Sequence, residues 1–381
     1  MTFLSLYSIA FPIVFCIAGL KKKWEKIPFL MLILLAVIRY DTVTDYYSYI
    51  DIFARIRQGE IEWFVYEPLF HILNIIFSFT SRGYIFVIMI CTLLPYLALY
   101  IYAKKYNVLY WSALLFYLLG YITQFDNAVR QDVAIGLFVF SIPYAIKKEK
   151  MKFSMLNLVG VGFHYTAFIC FIFYPLLQYT RKVKISFPKY MVIIILLFFL
   201  VVSGLCFHFF SFVMAHIPFF SDYVIFLDFF KSHDGLGLGA LFRFLILLLP
   251  VFLYQNDQRE EIKFCVNMSF FCIVVEILCS DFSFLVRTAN YLFAFKIISL
   301  ALVLKEKKWR FSLAYRLIIV LFFFYVNTRY IISYYGTENV FYTILSDNAK
   351  GYLIYERQVN RNLEWDEDMV KDRSKLIRYE P

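Results

Sequence analysis

Charged residues are scarce in this chain of 381 residues, where Asp, Glu, Lys and Arg make up 17% and hydrophobic residues make up 62%. Soluble domains carry about 25% charged residues, and a soluble chain of this length could not bury so much apolar surface. Long apolar runs recur along the chain, for example at residues 190–202 and 241–253. The composition therefore predicts an all-α polytopic membrane protein.

Motifs of several other protein classes are missing. The seven cysteines show neither a CxxC motif nor Cys/His metal spacing, which argues against a zinc site or a disulfide framework. Cys265, Cys272 and Cys279 recur every seven residues, so we expect them on one helix face at a helix–helix contact. The first apolar stretch, residues 2–20, is followed by lysines rather than by a small-residue cleavage site. It therefore predicts a spanning helix rather than a cleavable signal.

The net charge of +10 does not indicate nucleic-acid binding, because the basic residues lie in short clusters between apolar runs. Such clusters are typical of cytoplasmic loops in membrane proteins. They are residues 21–26, 104–105, 147–152, 181–184, 259–263 and 305–310. The positive-inside rule predicts that all six face the cytoplasm.

A spanning helix needs roughly 17–25 apolar residues. The predicted spans are residues 3–20, 27–39, 83–103, 108–124, 128–146, 189–213, 238–254, 262–280, 285–304 and 311–327. Residues 66–79 are too short to span, so we expect an interfacial or re-entrant helix on the outer side. Residues 153–163 and 165–178 lie between two basic loops and predict a pair of short helices that meet near residues 163–166.

With these adjustments the chain has about twelve transmembrane helices, some of them re-entrant or broken, and both termini face outward. Residues 1–328 form the membrane domain, and residues 329–381 form a polar C-terminal tail that we expect to be non-cytoplasmic. This topology gathers arginines and carboxylates on the outer side, opposite the lysine clusters. A charge at the centre of a spanning helix costs about 2.5–3.5 kcal/mol on insertion scales, and a partner anion would offset the part of this cost that an arginine just inside a helix end bears.

The segment after the second span combines Arg39, Asp41 and Asp45 with Tyr46 and Tyr49. If it is helical, the two carboxylates share a face, and so do the two tyrosines. Aromatic rings that stack on sugars, together with carboxylates that accept hydroxyl protons, are typical of carbohydrate sites. The alternative is an interfacial tyrosine belt with a solvated turn.

Arg130 is predicted to project from the N-terminus of a span, where backbone N–H groups already favour an anion. Its guanidinium can bind phosphate through two hydrogen bonds. The alternative is an internal ion pair with Asp126 or Asp132.

Three further polar positions lie in apolar surroundings. His164 occupies the predicted helix break, where irregular backbone normally lines a cavity, although a lone histidine in an apolar run is more often a packing residue. Arg287 and Arg243 offer either anion binding or structural pairs, for example with Asp281. Glu276 lies inside a span and requires a partner that the sequence does not identify.

Together these segments resemble the EpsG/Wzy type of polysaccharide polymerase, which makes O-antigen or exopolysaccharide. The shared pattern lies within roughly residues 25–300. It comprises Arg39, Asp45, Tyr46 and Tyr49; Glu67 with Pro68, Leu69 and Phe70; Val129, Arg130, Gln131 and Ala134; Phe163 to Ala167; Asp222 with Tyr223; and Arg287 with Tyr291. One departure is Val43, where the family usually has glycine.

The resemblance implies a GT-C-like glycosyltransferase in the bacterial inner membrane that uses a polyprenyl-diphosphate glycan as donor. The acceptor is a second lipid-linked repeat unit, the leaving group is undecaprenyl diphosphate, and a chain-length regulator protein is a further expected partner. No metal or other cofactor is expected. His164, Asp45 and Asp41 are the expected catalytic residues, and Arg130, Arg287, Arg243 and Arg39 the expected diphosphate ligands. Tyr46, Tyr49, Glu67, Gln131 and Tyr291 are the expected sugar ligands.

Other functional classes compete with this interpretation. A flippase or transporter predicts inverted repeats and charges near the bilayer midplane, whereas this chain shows no internal repeat and its charges cluster at one face. An O-antigen ligase would use the same lipid-diphosphate donor, so the arginines do not distinguish it from a polymerase. A membrane acyltransferase is a further enzyme alternative. A purely structural membrane protein would leave the convergence of outer arginines unexplained.

Overall fold

A computed structural model of the chain describes residues 11–40, 46–60, 66–119, 128–180, 186–216, 238–254, 257, 259–280, 287–306, 312–335 and 342–343. The first part of the chain forms α1 (Phe11–Gly19), α2 (Ile27–Ile38), α3 (Tyr46–Arg57), α4 (Pro68–Phe77), α5 (Gly83–Lys105), α6 (Leu109–Leu118), α7 (Val129–Ile146), α8 (Lys150–Phe163) and α9 (Ile169–Thr180). The second part forms α10 (Phe187–Val202), α11 (Leu205–His216), α12 (Leu238–Leu247), α13 (Leu249–Tyr254), α14 (Glu260–Leu278), α15 (Phe293–Lys305) and α16 (Ser312–Tyr335). Short 3-10 helices lie at Lys22–Trp24, Tyr165–Phe168 and Arg287–Leu292.

The prediction of a helical membrane protein is confirmed. Within the described ranges, three helical segments are long and apolar enough to cross a membrane: Gly83–Lys105, Val129–Ile146 and Arg287–Lys305. They coincide with the spans predicted at residues 83–103, 128–146 and 285–304. Shorter apolar helices occur at Pro68–Phe77, Leu109–Leu118, Phe187–Val202, Phe244–Tyr254 and Leu313–Val326. The total of about twelve spans stays a prediction.

Helix α7 packs against both α5 and α8. A Cβ atom at Gly136 of α7 would come within 2.8 Å of the carbonyl carbon of Leu94 and 2.9 Å of the nitrogen of Pro95. Only glycine allows the backbones of α5 and α7 to approach this closely, because any side chain would overlap main-chain atoms that cannot move independently. This contact places the N-terminus of α7 at a defined position in the bundle.

The predicted pair of short helices at residues 153–178 is confirmed. Helix α8 ends at Phe163, His164 adopts an extended conformation, and a 3-10 turn at Tyr165–Phe168 leads into α9. The expected continuous span at residues 189–213 is wrong, because α10 and α11 are separated at Ser203 and Gly204. Gly204 has φ of 75°, a left-handed conformation that glycine adopts without strain and that stops the helix.

Helices α14 and α15 are joined by an ion pair that gives Glu276 its partner. The ammonium group of Lys296 bonds to the carboxylate of Glu276, and both side chains are almost completely buried. The sulfur of Cys265 lies 3.7 Å from the Phe295 carbonyl oxygen in α15, and that of Cys272 lies 3.6 Å from the Ala289 carbonyl oxygen in the 3-10 segment before α15. The predicted helix–helix contact is therefore confirmed for Cys265 and Cys272, whereas Cys279 follows the last residue of α14.

Two short strands connect the segment after α2 to the C-terminal region. Strand β1 (Arg39–Tyr40) pairs antiparallel with β2 (Tyr342–Thr343), with Arg39 opposite Thr343. Helix α16 continues to Tyr335, beyond the boundary expected at residue 328. The division into a membrane domain and a tail stays a prediction, but residues 342–343 lie beside the end of α2.

Candidate active site

The carboxylate of Glu67 is the centre of a buried polar cluster. Its side chain is only 4% exposed, and Oε2 accepts a hydrogen bond from Nη1 of Arg130 at 2.7 Å. The other oxygen, Oε1, lies 2.8 Å from Nδ1 of His164 and 3.4 Å from the backbone nitrogen of Tyr165. One carboxylate thus holds an arginine and a histidine from two other segments.

Each of the three side chains sits at a helix end. Glu67 immediately precedes α4, whose first residue is Pro68, a position that suits proline because no intrahelical N–H is needed there. Arg130 lies in the first turn of α7, as predicted, and His164 lies at the break after α8. The apolar helix interiors exclude these groups, so the polar side chains collect where three helix ends meet.

The ionisation of Glu67 follows from its neighbours. Burial by itself would raise the pKa of the Glu67 carboxyl, but the hydrogen bond with His164 and the charge of Arg130 outweigh burial and bring the pKa to about 2. The group is therefore a carboxylate, which can only accept hydrogen bonds. Nδ1 of His164 must carry the proton of this contact, so in the neutral imidazole Nε2 is left as the basic nitrogen.

The guanidinium of Arg130 is held between aromatic side chains. It lies 5.5 Å from the ring centroid of Tyr66 and 5.7 Å from that of Phe70, distances at which cation–π attraction operates. Tyr49 of α3 also lies close enough to interact with it. The Arg130 side chain remains 26% exposed, and a guanidinium has five N–H donors. Part of its donor capacity is therefore directed away from Glu67.

A second set of contacts ties the 3-10 segment before α15 to the same region. The hydroxyls of Thr166 and Tyr291 lie 2.9 Å apart, and Nε2 of Gln131 donates to the carbonyl oxygen of Arg287 at 3.0 Å. The segments around residues 67, 130, 164 and 290, which are far apart in sequence, therefore meet in the structure.

The other predicted site residues are only partly covered by the described residues. Asp41 and Asp45 lie outside the described residues, as do the side chains of Arg39, in β1, and Arg243, in α12. Tyr46 and Tyr49 of α3 are buried, as are Gln131 and Tyr291. The Arg287 side chain is exposed, and its backbone rather than its guanidinium contacts Gln131.

The cluster lies at the end of the helices opposite the lysines. Helix α7 begins at the site and ends before Lys147, and α8 returns from Lys150 to His164. The segment that begins at Arg287 ends at Lys305. At the lysine end, Lys105 of α5 pairs with Glu261 of α14 at 3.0 Å. The separation of basic clusters from outer polar residues, expected from the sequence, is present in the helix arrangement.

Two features were not identified from the sequence. Glu67 was expected only as a sugar ligand, although a glutamate directly before a proline at the start of an apolar helix already indicates a special position. Lys296 lies inside the apolar run of α15, where a lysine requires a partner, and this single charge was the available signal. In the part of the chain that the structure describes, no group of three or more His, Cys, Asp or Glu side chains could hold a metal ion.

These features define a helical membrane protein in which a buried glutamate joins a partly exposed histidine and arginine at the helix ends that face away from its lysine clusters. The model of the EpsG family matches residues 6–343, and the chain belongs to this family. The family and the apolar helices assign the protein to polysaccharide biosynthesis at a membrane. No curated protein and no solved structure matches the chain.

Proposed function

We propose that the protein is a polysaccharide polymerase that joins oligosaccharide repeat units carried on undecaprenyl diphosphate. The observation that supports this proposal best is the shared carboxylate of Glu67, which holds the imidazole of His164 and the guanidinium of Arg130 on its two oxygens. A glycosyl transfer from a lipid diphosphate requires a base for the acceptor and a cation for the leaving group. The cluster places one candidate for each role side by side.

In the proposed reaction, Nε2 of His164 removes the proton from the acceptor hydroxyl, whose oxygen attacks the anomeric carbon of the donor glycan. The bond between that carbon and the diphosphate oxygen breaks, and undecaprenyl diphosphate leaves with the bonding electrons. Arg130 stabilises the charge that develops on the diphosphate, and Arg287 is a second candidate. Preorganised cations contribute most at this stage.

Glu67 acts in this proposal as a positioning residue rather than as a sugar ligand. It fixes the tautomer and orientation of His164 and the position of Arg130, while general-base catalysis by the imidazole contributes about 10²–10⁴-fold. Asp45 and Asp41 remain alternative bases, and Arg39 and Arg243 remain proposed diphosphate ligands. Tyr46, Tyr49, Gln131 and Tyr291 remain proposed sugar ligands.

The positive-inside rule predicts that the lysine clusters face the cytoplasm. In this proposal the Glu67 cluster, at the opposite helix ends, therefore faces the periplasm. A GT-C-type architecture, independence from metal and an inner-membrane location belong to the same proposal. A chain-length regulator is its expected protein partner. The site chemistry suits an O-antigen ligase equally well, because a ligase uses the same donor.

The direct test uses purified full-length protein in proteoliposomes with an undecaprenyl-diphosphate-linked repeat unit. We expect elongated glycan from the wild type and about 100-fold less from His164→Gln and Arg130→Ala. Arg259→Ala, at the lysine end, is the control and should retain full activity. A wild-type protein that makes no elongated product, with Arg130→Ala indistinguishable from it, would refute the polymerase proposal.

Deletion of the gene separates the polymerase from its alternatives. Loss of a polymerase leaves single repeat units on the surface lipid, whereas loss of a ligase leaves none. Loss of a flippase leaves lipid-linked units trapped on the cytoplasmic side.

A further inference from the structure

An open apolar groove lies between α4 and α8, directly beside the Glu67 cluster. It encloses about 350 Å³, within the range of small-molecule sites. Its lining residues are Pro68, Leu69, Leu158, Val159, Val161, Gly162 and Tyr165. Two of them, Pro68 and Tyr165, directly follow Glu67 and His164 in the chain, so the groove lies next to the polar cluster.

The groove leads from the polar cluster along the outer surface of α8, away from His164. Leu158 precedes His164 by six positions on α8, which at 1.5 Å per residue corresponds to a descent of about 9 Å. Leu158 is 61% exposed and Val159 is 41% exposed, so the walls of the groove open toward lipid. The polar cluster therefore lies beside the upper end of the apolar groove, and the groove descends along α8 into the bilayer.

Gly162 allows α4 and α8 to approach closely beside the groove. A Cβ atom at this position would lie 2.6 Å from both Cγ and Cδ1 of Leu69. Because α8 carries no side chain here, Leu69 of α4 packs against its backbone, and this contact fixes the position of the two walls of the groove.

The chemistry of the two ends indicates the occupant. The groove itself offers hydrocarbon contacts, whereas the polar cluster beside its upper end contains the partly exposed guanidinium of Arg130. An occupant that fits both ends is an amphiphile with an anionic head group and an apolar chain. Its head would bind at the arginine, and its chain would continue along Leu158 and Val159 into the membrane.

We propose that this groove binds the first isoprene units of the polyprenyl chain of the lipid-linked substrate. The proposal rests on the proposed polymerase function. Each methylene group of the chain that leaves water or loose lipid contact for a fitted surface contributes to binding. The groove would thereby position the diphosphate next to Arg130 and the sugar next to His164.

The test uses the full-length protein in vesicles of phosphatidylethanolamine and phosphatidylglycerol. The probe is a polyprenyl diphosphate that carries a photoactivatable diazirine in its second isoprene unit. We expect labelled peptides from residues 68–69 and 158–165, and we expect unlabelled polyprenyl phosphate to compete. Labelling elsewhere, or labelling that excess phosphatidylglycerol displaces equally well, would show that the groove holds ordinary lipid and would overturn the proposal.

Variants provide the second measurement. Leu158→Trp fills the groove from its lipid-facing wall and should reduce photolabelling and raise the KM for the long-chain donor about tenfold, with kcat unchanged. Leu196→Trp is the matched control, because Leu196 is 58% exposed on α10 and lies outside the groove. Equal KM values for the two variants would contradict the proposal.

The outcomes distinguish the groove from the polymerase function. Labelling at the groove without any elongation of glycan would support the groove as a binding site and refute the polymerase function. Elongation of glycan by a protein that is labelled elsewhere and tolerates Leu158→Trp would support the polymerase function and refute the groove.

Discussion

Oε1 of Glu67 accepts a hydrogen bond from Nδ1 of His164 at 2.8 Å, although 97 positions separate the two residues in the chain. The contact determines which imidazole nitrogen is basic, because the carboxylate occupies the protonated one. The same carboxylate pairs with Arg130. A change at Glu67 is therefore expected to affect the proposed base and the proposed diphosphate ligand together.

Glu67→Gln should lower kcat about 100-fold. The amide removes the negative charge that fixes the tautomer of His164, and its NH₂ group cannot accept the hydrogen bond from Arg130. The measurement is glycan elongation in proteoliposomes, with Glu60→Gln as the control, because Glu60 is an exposed glutamate that pairs only distantly with Arg55. A Glu67→Gln protein with wild-type kcat would contradict the positioning role.

Arg130→Lys should lower kcat/KM about tenfold although the charge is retained. Lysine is a compact point charge that cannot donate to Glu67 and to a diphosphate with the planar geometry of a guanidinium. It also loses the flat contact with Tyr66 and Phe70. Steady-state kinetics would test this expectation, and Arg259→Lys, whose partner Asp257 is at the lysine end, should be neutral.

Lys296→Met should destabilise the protein by about 3–5 kcal/mol, because it leaves the buried carboxylate of Glu276 without its cation. The double variant Glu276→Leu with Lys296→Met should be less destabilised than Lys296→Met alone, since no buried charge remains. Thermal or denaturant unfolding of Glu276→Leu, Lys296→Met and the double variant in detergent provides the double-mutant cycle. If the two single effects simply add, the ion pair does not couple α14 to α15.

The stability of the fold should depend on pH through Glu67. Its folded pKa of about 2 lies below the ordinary value of 4.5, so its contribution is fully present above about pH 4.5 and is lost as pH falls toward 2. The total contribution is about 3 kcal/mol, of which about 2 kcal/mol should be lost by pH 3. The measurement is the difference in unfolding free energy between the wild type and Glu67→Gln at pH 6 and pH 3. A difference that stays constant over this range would contradict the lowered pKa.

Sequence patterns predicted where helices occur better than where individual helices are interrupted. The apolar runs at residues 83–103 and 128–146 and the break near His164 agree with the structure. The interruption at Gly204 was missed, because a small residue in an apolar run changes hydropathy little while its backbone conformation ends a helix. Arg130, Gln131, His164 and Tyr291 are all expected at the site from the sequence, and the structure brings them close together. Their functional roles stay predictions.

The partners of these residues were not predictable in the same way. The sequence offers the neighbours Asp126 and Asp132 as partners for Arg130, whereas the partner in the structure is Glu67, 63 positions away. Glu276 was expected to need a partner, yet Lys296 was not identified. Charge alone does not indicate which of several helix ends will meet.

The sequence by itself determined that the protein lies in a membrane and that its basic clusters lie at the helix ends opposite Arg130 and His164. Hydropathy and loop charge are sums over residues that are neighbours in the sequence. Both can therefore be evaluated without knowledge of how the helices pack. Only the tertiary structure decided that Glu67 joins His164 to Arg130, and that Lys296 neutralises Glu276. Such contacts depend on the close packing of helices, as at Gly136, where a shift of about one ångström would separate the hydrogen-bonding atoms.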